Sequence, residues 1–536
     1  MEEVVLPILL LLVTFILLTL KMMKKKKLEV NGGPPPPLPP GPRKLPIIGN
    51  LHQLAFTSLL PHRRLRDLAR QYGPLMHLQL GETTNVVVSS AELARELLKT
   101  HDLNFASRPS RVSADIILYE ARDIVFAPYG EYWRQMRKIC ALELLSPRRV
   151  GSLRAVRGAE VHELVGSIDH SAAQWSQKMK SEPNPSAQPA PAVNLTPLLM
   201  SLSNRVVSRA TIGTKLGKEE ESEFFLVMQE IMKAFGGFTL SDVFPSSRLL
   251  GLIGGTERRL NELHREVDVM LQRFIDDHVA RRSAEKGDEE EEEAEDQDLV
   301  DVLLNYTREH GDKSNELSFP LTDVEIKAVI SDMFLAGTDT TAVLLEWAMV
   351  ELMKNPDEME KAQREVRRVF DKKGKLVDEA SLDELNYLNL IVKETLRLHL
   401  PAPLLAPRAT RETVVINGYQ IPAKTTVIIN AWAICRDPVH WEKPDEFMPE
   451  RFLLGSINYK GNDFQLIPFG AGRRICPGMQ FGTAIVHLAL ANLLYHFDWK
   501  LPNQTKPQDL DMSEIFGVTV ARKSDLYLIP IPYSAP

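Results

Sequence analysis

The sequence predicts a mainly α-helical protein with small β-sheets and a transmembrane helix at its N-terminus. The first observation is helical spacing of apolar residues over residues 91–100, 131–145, 258–282, 323–354, 357–370 and 383–398. The second is that runs with strand character are short, at residues 75–80, 84–88, 414–416 and 426–430. The third is one long apolar stretch near the start of the chain. A chain of 536 residues, 44% of them hydrophobic, can bury the large core that such a fold needs.

The apolar stretch covers residues 4–20, and lysines follow it at Lys21 and at residues 24–27. As a helix it spans about 26 Å, which is close to the thickness of a bilayer core. A cleaved signal peptide carries its positive charge before the apolar stretch, whereas here Glu2 and Glu3 come first. We therefore predict an uncleaved, single-pass anchor over residues 1–23, with the lysines and the rest of the chain in the cytosol.

Residues 24–50 are rich in lysine and then in proline, and we interpret them as a hinge. Dense prolines favour a stiff, extended backbone, so this segment predicts a spacer between membrane and globular part. A binding motif for proline-recognising domains is the alternative. We assign residues 51–536 to a single domain and interpret the acidic run at residues 288–298 as a solvated loop within it.

Charge and cysteine content exclude several classes of function. The net charge is −7, which argues against nucleic-acid binding because phosphate contacts need clustered positive charge. The cysteines Cys140, Cys435 and Cys476 are isolated from one another, which excludes paired zinc ligands and a disulfide framework. Such a count fits a reducing compartment, and any special cysteine must act singly.

The strongest chemical signal is the sequence PFGAGRRICPG at residues 468–478. Glycines on both sides of the cysteine let the backbone approach another group closely, and an arginine lies two residues before it. This segment resembles the heme-binding loop of cytochromes P450 at Phe469, Gly472, Arg474, Cys476 and Gly478. The resemblance implies that Cys476 is the thiolate ligand of the iron of heme b, a ligation that favours O–O cleavage.

The source of electrons follows from what the sequence lacks. Gly470 and Gly472 are followed by Ile475 where a dinucleotide-binding loop needs its third glycine, and residues 213–218 lack the spacing of a phosphate loop. Electrons must therefore come from another protein. The resemblance implies that this partner is an NADPH-dependent cytochrome P450 reductase, with cytochrome b5 as a second donor.

A polar segment, AGTDTT at residues 336–341, interrupts an otherwise apolar helix. A Thr-Asp cap that begins a new helix is the alternative. The segment resembles the oxygen-activation region of the family. By that resemblance Gly337 leaves room for dioxygen, and Asp339 and Thr340 deliver protons to it.

Two further sets of charged and aromatic residues match the family. Glu394 and Arg397 are three residues apart on a helix, a pair worth only about 0.2–0.5 kcal/mol if exposed. With Arg451 they resemble the buried Glu-Arg-Arg network of the family. The second set binds the heme propionates by the same resemblance and consists of Trp133, Arg137, Arg408 and Arg474.

The resemblance covers essentially the whole chain and is most similar to the plant microsomal (A-type) group of specialised metabolism, which implies an endoplasmic reticulum membrane protein. The implied pocket is apolar, which favours a small hydrophobic substrate. Its predicted lining residues are Ile116, Ile117, Phe334, Ala336, Leu404 and Phe516. We expect hydroxylation or epoxidation of a terpenoid, with an alkaloid or a phenolic as alternatives. A non-catalytic heme-binding protein, and an isomerase or dehydratase that needs no external electrons, are the other interpretations.

Overall fold

The computed structural model describes residues 36–534, except for residue 56 and residues 182–191, 214–217, 237–239, 248–254, 286–296, 309–318, 374–376 and 454. The predicted anchor, the first part of the hinge and most of the acidic run lie outside the described residues. Packing divides what is described into two units. The large unit contains residues 39–414 and 421–534, and the small one contains residues 36–38 with Val415–Gln420.

The structure is mostly helical, as predicted. The helices, numbered along the chain, are α1 Leu51–Ala55, α2 Pro61–Tyr72, α3 Ala91–Arg95, α4 Val112–Ile117, α5 Glu131–Ile139, α6 Pro147–Ser152, α7 Arg154–Ser181, α8 Leu195–Ile212, α9 Lys218–Phe235, α10 Leu240–Val243, α11 Thr256–Glu285, α12 Leu299–Leu304, α13 Asp323–Lys354, α14 Pro356–Asp371, α15 Asn386–Leu398, α16 Ala431–Ile434 and α17 Met479–His496.

The strands form small sheets, which confirms the predicted fold class. They are β1 Leu75–Leu80, β2 Thr83–Val88, β3 Val193–Asn194, β4 Arg408–Ala409, β5 Val414–Ile416, β6 Tyr419–Ile421, β7 Thr426–Ile429, β8 Phe497–Lys500, β9 Glu514–Ile515, β10 Ala521–Arg522 and β11 Tyr527–Pro532. The largest sheet has the order β1-β2-β7-β4, and β2 pairs with β7 in parallel. The order β3-β11-β8 forms a second sheet, and β5-β6 and β9-β10 are hairpins.

Helix α13 runs through the core and has the bounds that the sequence predicts. It begins where the Glu325 carboxylate accepts a hydrogen bond of 3.0 Å from the backbone N–H of Thr322, which satisfies one free donor of the first turn. It packs against α8, α17 and α15. Within the described part of the chain it is the one helix long and apolar enough to cross a membrane, but 72% of that apolar stretch is buried inside the protein, as in a core helix.

The structure differs from the prediction in two respects, both of which concern helices. Helices predicted at residues 91–100 and 131–145 each change to a π-helical turn, at Glu96–Thr100 and Cys140–Leu144. The helices α7, α8, α9 and α17 were not predicted from apolar spacing. The last part of the predicted hinge lies along β1, where Asn50 accepts a hydrogen bond from the Gln79 N–H and the His77 N–H donates to Pro40 O.

Candidate active site: the cysteine loop and the arginines around it

The cysteine loop is a tight turn that ends at the start of α17. The backbone N–H of Cys476 donates to the Phe469 carbonyl at 2.9 Å, which closes the turn. Burial raises the pKa of the half-buried Cys476 thiol, whereas the backbone N–H groups of Gly478 and Met479 and the charge of Arg137 lower it. These donors surround the sulfur with positive partial charge, which favours the thiolate form that a metal ligand requires.

The two glycines on either side of the cysteine have different roles. Gly472 has a φ of +69°, and a Cβ there would lie 2.2 Å from the carbonyl oxygen of Leu98 and 2.7 Å from a carboxylate oxygen of Asp102. Gly478 has an ordinary φ of −83°, and the nearest atom to an added Cβ is the Cys476 sulfur at 4.0 Å. The fold of the described chain therefore requires glycine at position 472 but not at position 478.

Four arginines meet beside the loop. Arg474 donates to the carbonyls of Ala106 and Ile124 at 2.7 and 3.2 Å, Arg137 to Ile475 at 2.5 Å and Arg408 to Ala471 at 2.9 Å. The fourth is Arg108, which donates to Val125 and to Ala406 and Pro407. Burial, followed by the neighbouring cations, lowers the pKa of Arg474 to about 9, and burial lowers that of Arg408 to about 10.

Trp133 lies in the same place but contacts the protein backbone. Its indole N–H donates to the Ile124 carbonyl at 3.0 Å, and the Arg474 guanidinium stacks 4.1 Å from the centre of its ring. Trp133 and Arg474 thus share one carbonyl acceptor, and the structure brings together all four residues that the sequence assigns to propionate binding.

The surroundings of this cluster fit a heme. Among the described residues, Asp102 and Asp123 are the carboxylates that face the four arginines. The remaining positive charge suits a ligand with two carboxylates, which is what heme carries. On α13, Ala336 is exposed although the helix around it is buried, so an open space lies against the middle of this helix. Cys476 would hold the iron of such a group, the arginines would hold its propionates, and this space would remain open beside α13.

The AGTDTT segment at residues 336–341 lies against the first turns of α17, the helix that follows the cysteine loop. An added Cβ on Gly482, in the first turns of α17, would lie 3.4 Å from the hydroxyl oxygen of Thr341. The hydroxyl of Thr340 donates to the Ala336 carbonyl at 2.6 Å. Asp339 lines a small cavity whose other polar side chains include Asn204 and Gln229, and burial raises its pKa to about 6. A carboxyl with that pKa exchanges protons near neutral pH.

Gly337 has a packing role in this structure. A Cβ at this position would lie 2.8 Å from Cγ2 of Val207 on α8, so the glycine permits close contact between α8 and α13. Room for dioxygen, which the resemblance implies, remains a prediction beside this observed role.

We expect Gly337→Ala to destabilise the protein by about 1–3 kcal/mol, because the added methyl group overpacks the contact with Val207. The double substitution Gly337→Ala with Val207→Ala should restore most of the loss, measured as the thermal unfolding midpoint of the heme-loaded protein. Gly166→Ala is the control, since Gly166 lies exposed on α7 with nothing within 4 Å of an added Cβ, and alanine favours the helix there. A Gly337→Ala protein as stable as wild type would contradict the packing role.

The Glu-Arg-Arg network is assembled and buried. Glu394 accepts two hydrogen bonds from Arg397, at 2.7 and 2.8 Å, and one from Arg451 at 3.0 Å. Glu394 and Arg397 are both 0% exposed. The remaining N–H groups of Arg397 donate to the carbonyls of Cys435, Pro444 and Glu446. The network therefore ties α15 to the segment that leads to the cysteine loop.

Three of the predicted pocket regions converge. Phe126 stacks on Phe235 with ring centres 5.5 Å apart, and a Cβ on Gly236 would lie 3.0 Å from Gly517. The loop after α4, the end of α9 and the hairpin β9-β10 therefore converge. Ala336 faces open space, whereas Ile117 is buried in the core at 1% exposure. The other predicted residues have these surroundings: Ile116 is half-buried, Phe334 lines the Asp339 cavity, Leu404 packs near β1, and Phe516 stacks on His62.

Sequence reasoning missed Arg108 and the buried acids Asp123 and Asp332. A Phe-Ala-Ser-Arg-Pro segment at residues 105–109 gives no periodic signal, and nothing in the sequence marks an arginine or aspartate as buried. Their importance lies in contacts over long sequence separations, such as Arg108 with Ala406.

Comparison with known proteins agrees with this geometry. The family model described as cytochrome P450 matches residues 39–529. Desmethyl-deoxy-podophyllotoxin synthase from Sinopodophyllum hexandrum is 49% identical over 493 residues, covering 92% of this chain and 91% of the relative. Premnaspirodiene oxygenase from Hyoscyamus muticus is 47% identical over 502 residues, with 92% and 93% covered. Costunolide synthase from Cichorium intybus is 46% identical over 494 residues, also with 92% and 93% covered.

A solved structure of a zebra fish cytochrome P450 with abiraterone has the same fold. The superposition has a TM-score of 0.70 at 23% sequence identity, and it includes 89% of this chain and 100% of the zebra fish chain. Cytochromes P450 are monooxygenases that hold heme through a thiolate–iron bond. With the family model matching nearly the full length and relatives close to half identical, the chain belongs to the cytochrome P450 family and groups with its plant members.

Proposed function

We propose that this protein hydroxylates or epoxidises a hydrophobic plant specialised metabolite, with a terpenoid as the favoured substrate. Two observations support this proposal: apolar side chains converge at Phe126 and Phe235, and Ala336 on α13 faces open space. The names of premnaspirodiene oxygenase and costunolide synthase denote terpenoid chemistry in two relatives. The relative named for a podophyllotoxin favours the alternative, a phenolic or other non-terpenoid substrate for the same reaction.

The proposal assigns a role to each of the residues at the site. When bound, thiolate-ligated heme supplies O–O cleavage and oxygen insertion. Cys476 is the iron ligand, and Arg137, Arg408 and Arg474, with Arg108, hold the propionates. Asp339 takes up protons from its cavity and releases them toward Thr340, whose hydroxyl lies one helical turn after Ala336. The apolar wall excludes water and orients the substrate.

The proposal extends to the setting of the enzyme. Residues 1–23 anchor it in the endoplasmic reticulum membrane, with the catalytic domain in the cytosol. NADPH supplies the electrons through a reductase, and cytochrome b5 can serve as a second donor. The lysines after the apolar stretch support this orientation.

The test is product analysis of microsomes that contain the protein and a plant reductase, fed NADPH and a panel of terpene hydrocarbons, terpenoid alcohols, alkaloids and phenolics. We expect an oxygenated terpenoid that disappears without NADPH or reductase. Microsomes with Cys476→Ala should yield none, and they should also lose the absorbance band of the reduced, CO-bound thiolate heme.

The other outcomes separate the alternatives. Oxidation of a phenolic or an alkaloid alone would replace the substrate class and leave the chemistry intact. A product formed without NADPH and reductase would indicate an isomerase or dehydratase. A thiolate-heme spectrum without turnover of any panel compound would contradict the terpenoid assignment and favour the non-catalytic interpretation.

A further inference from the structure

Two buried carboxyl groups face each other between the loop after α4 and the central helix α13. Asp123, in the loop, is 0% exposed, and Asp332, on α13, is 5% exposed. One oxygen of Asp123 accepts from the backbone N–H groups of Val125 and Phe126, at 3.0 and 2.8 Å. One oxygen of Asp332 accepts from the N–H of Ile124 at 2.7 Å.

The other oxygen of Asp123 is buried and has no N–H or hydroxyl donor in reach. The side chains of Asp123 and Asp332 are close enough to share a hydrogen bond once a proton lies between them. Two like charges cannot both persist at such a contact in a dry site, so one of the two carboxyls must hold a proton.

The surroundings decide which carboxyl is protonated. Asp123 accepts two backbone N–H groups and faces the cations Arg108 and Arg474, all of which stabilise its charged form. Asp332 faces no cation among the described residues that interact with it. Its charged and titratable neighbours are Asp123, Cys140 and Tyr132. Burial, and then the charge of Asp123, raise the pKa of Asp332 well above its usual range.

We propose that Asp332 is a protonated positioning residue that donates its proton to ionised Asp123 and so fastens residues 122–127 to the central helix. The same segment carries the carbonyls of Ile124, Val125 and Ala127, which accept from Arg474, Arg108 and Trp133. Its N–H groups are thus held by the acid pair and its carbonyls by the propionate-binding side chains. The acid pair sets the position of those side chains relative to α13, one helical turn before Ala336.

Strain in the preceding residues makes this fastening necessary. Tyr119, Glu120 and Ala121 have φ values of 53°, 58° and 56°, a left-handed turn that non-glycine residues rarely adopt. Such a turn persists only where the surrounding structure holds it in place. One end is held by Tyr119, whose hydroxyl donates to Asp268 at 2.8 Å, and the acid pair holds the other.

The proposal predicts a specific dependence on pH. An unfolded aspartate releases its proton above a pH of about 4, whereas folded Asp332 keeps it, so folding takes up one proton between the two pKa values. This contribution to stability is complete at low pH and decreases as the pH rises toward the folded pKa. Asparagine at position 332 keeps both hydrogen bonds, with its amide donating to Asp123, and has no proton to lose.

The experiment uses the full-length, heme-loaded protein and measures two quantities that do not depend on turnover. The first is the infrared carbonyl band of protonated buried carboxylic acids, which should lose one component in Asp332→Asn and none in Asp323→Asn, an exposed residue of the same helix. The second is the rate of heme transfer to excess apomyoglobin between about pH 6.5 and 8.5.

We expect wild type to lose heme faster relative to Asp332→Asn as the pH rises from about 6.5 to 8.5, with the ratio of rates increasing by up to about tenfold per pH unit, the limit for one proton. Asp332→Ala should lose heme about tenfold faster than Asp332→Asn at every pH, because neither side chain titrates but only asparagine keeps the hydrogen bonds. If the Asp332→Ala protein does not load heme, the comparison of wild type with Asp332→Asn is sufficient to test the proposal. Parallel pH curves for wild type and Asp332→Asn, or an unchanged infrared band, would overturn the proposal.

Discussion

Glu394→Ala is expected to destabilise the protein by about 3–5 kcal/mol and to abolish heme loading, because it leaves two buried arginines without their carboxylate. Arg397 is 0% exposed, and Glu394 is the anion that both it and Arg451 contact. Loss of the network should disturb the heme site through Cys435. The Cys435 carbonyl accepts a hydrogen bond from Arg397, and its sulfur faces the backbone N–H of Ile467, at the start of the cysteine loop.

Heme content per protein, from the thiolate-heme absorbance of the reduced, CO-bound form, measures this loss. Glu360→Ala is the matched control, because Glu360 and Arg364 form an exposed helical pair, 2.9 Å apart with side chains 73% and 68% exposed. Its removal should cost only about 0.3–0.5 kcal/mol and leave the heme content unchanged. Glu394→Gln, which keeps the shape of the side chain, should lose less than Glu394→Ala. A stable, heme-replete Glu394→Ala protein would refute the structural role of the network.

Gly472→Ala is expected to cost about 2–5 kcal/mol, the sum of the strain of a left-handed residue with a side chain and of a collision with the backbone. The colliding atom is the carbonyl oxygen of Leu98, 2.2 Å from the added Cβ. Leu98 belongs to the π-helical turn Glu96–Thr100, so its carbonyl cannot rotate away as a flexible side chain could. We expect the variant to be produced with little or no thiolate heme.

The substitution Gly470→Ala separates the effect of backbone strain from the effect of the collision. Gly470 has nearly the same φ, +71°, but the nearest atom to an added Cβ is a side-chain carbon of Leu405 at 3.8 Å. The Gly470→Ala protein should therefore lose only about 1–2 kcal/mol of stability, from backbone strain, and keep most of its heme. Equal losses in the two variants, measured by thermal unfolding and heme content, would show that contact with Leu98 is not what fixes glycine at position 472.

Elements with strong local signals were predictable from the sequence. Helix α13 has the predicted bounds because its capping residues, Thr322 and Glu325, lie only three positions apart in the chain and its apolar residues are continuous. The cysteine loop was predictable because glycine, arginine and cysteine stand at fixed short spacings, and Glu394 and Arg397 because one helical turn separates them.

Features that depend on distant contacts were not predictable. The packing role of Gly337 depends on Val207, which lies on another helix, and the acid pair joins positions 123 and 332. In both pairs, nothing in the sequence near one residue indicates which residue it contacts. The helix α7 also escaped prediction, because its apolar residues do not concentrate on one face.

The parallel pairing of β2 with β7 has a consequence for the synthesis of this protein. The partner of Asn85 is Thr426, about 340 residues later in the chain. At a translation rate of about 5–20 residues per second, β2 is synthesised on the order of 20–70 s before that partner. During this time the nascent hairpin β1-β2 presents an unpaired edge that includes Val86 and Val87, both fully buried in the finished protein. Until Thr426–Ile429 has been synthesised, the native strand that covers this edge of the main sheet does not exist.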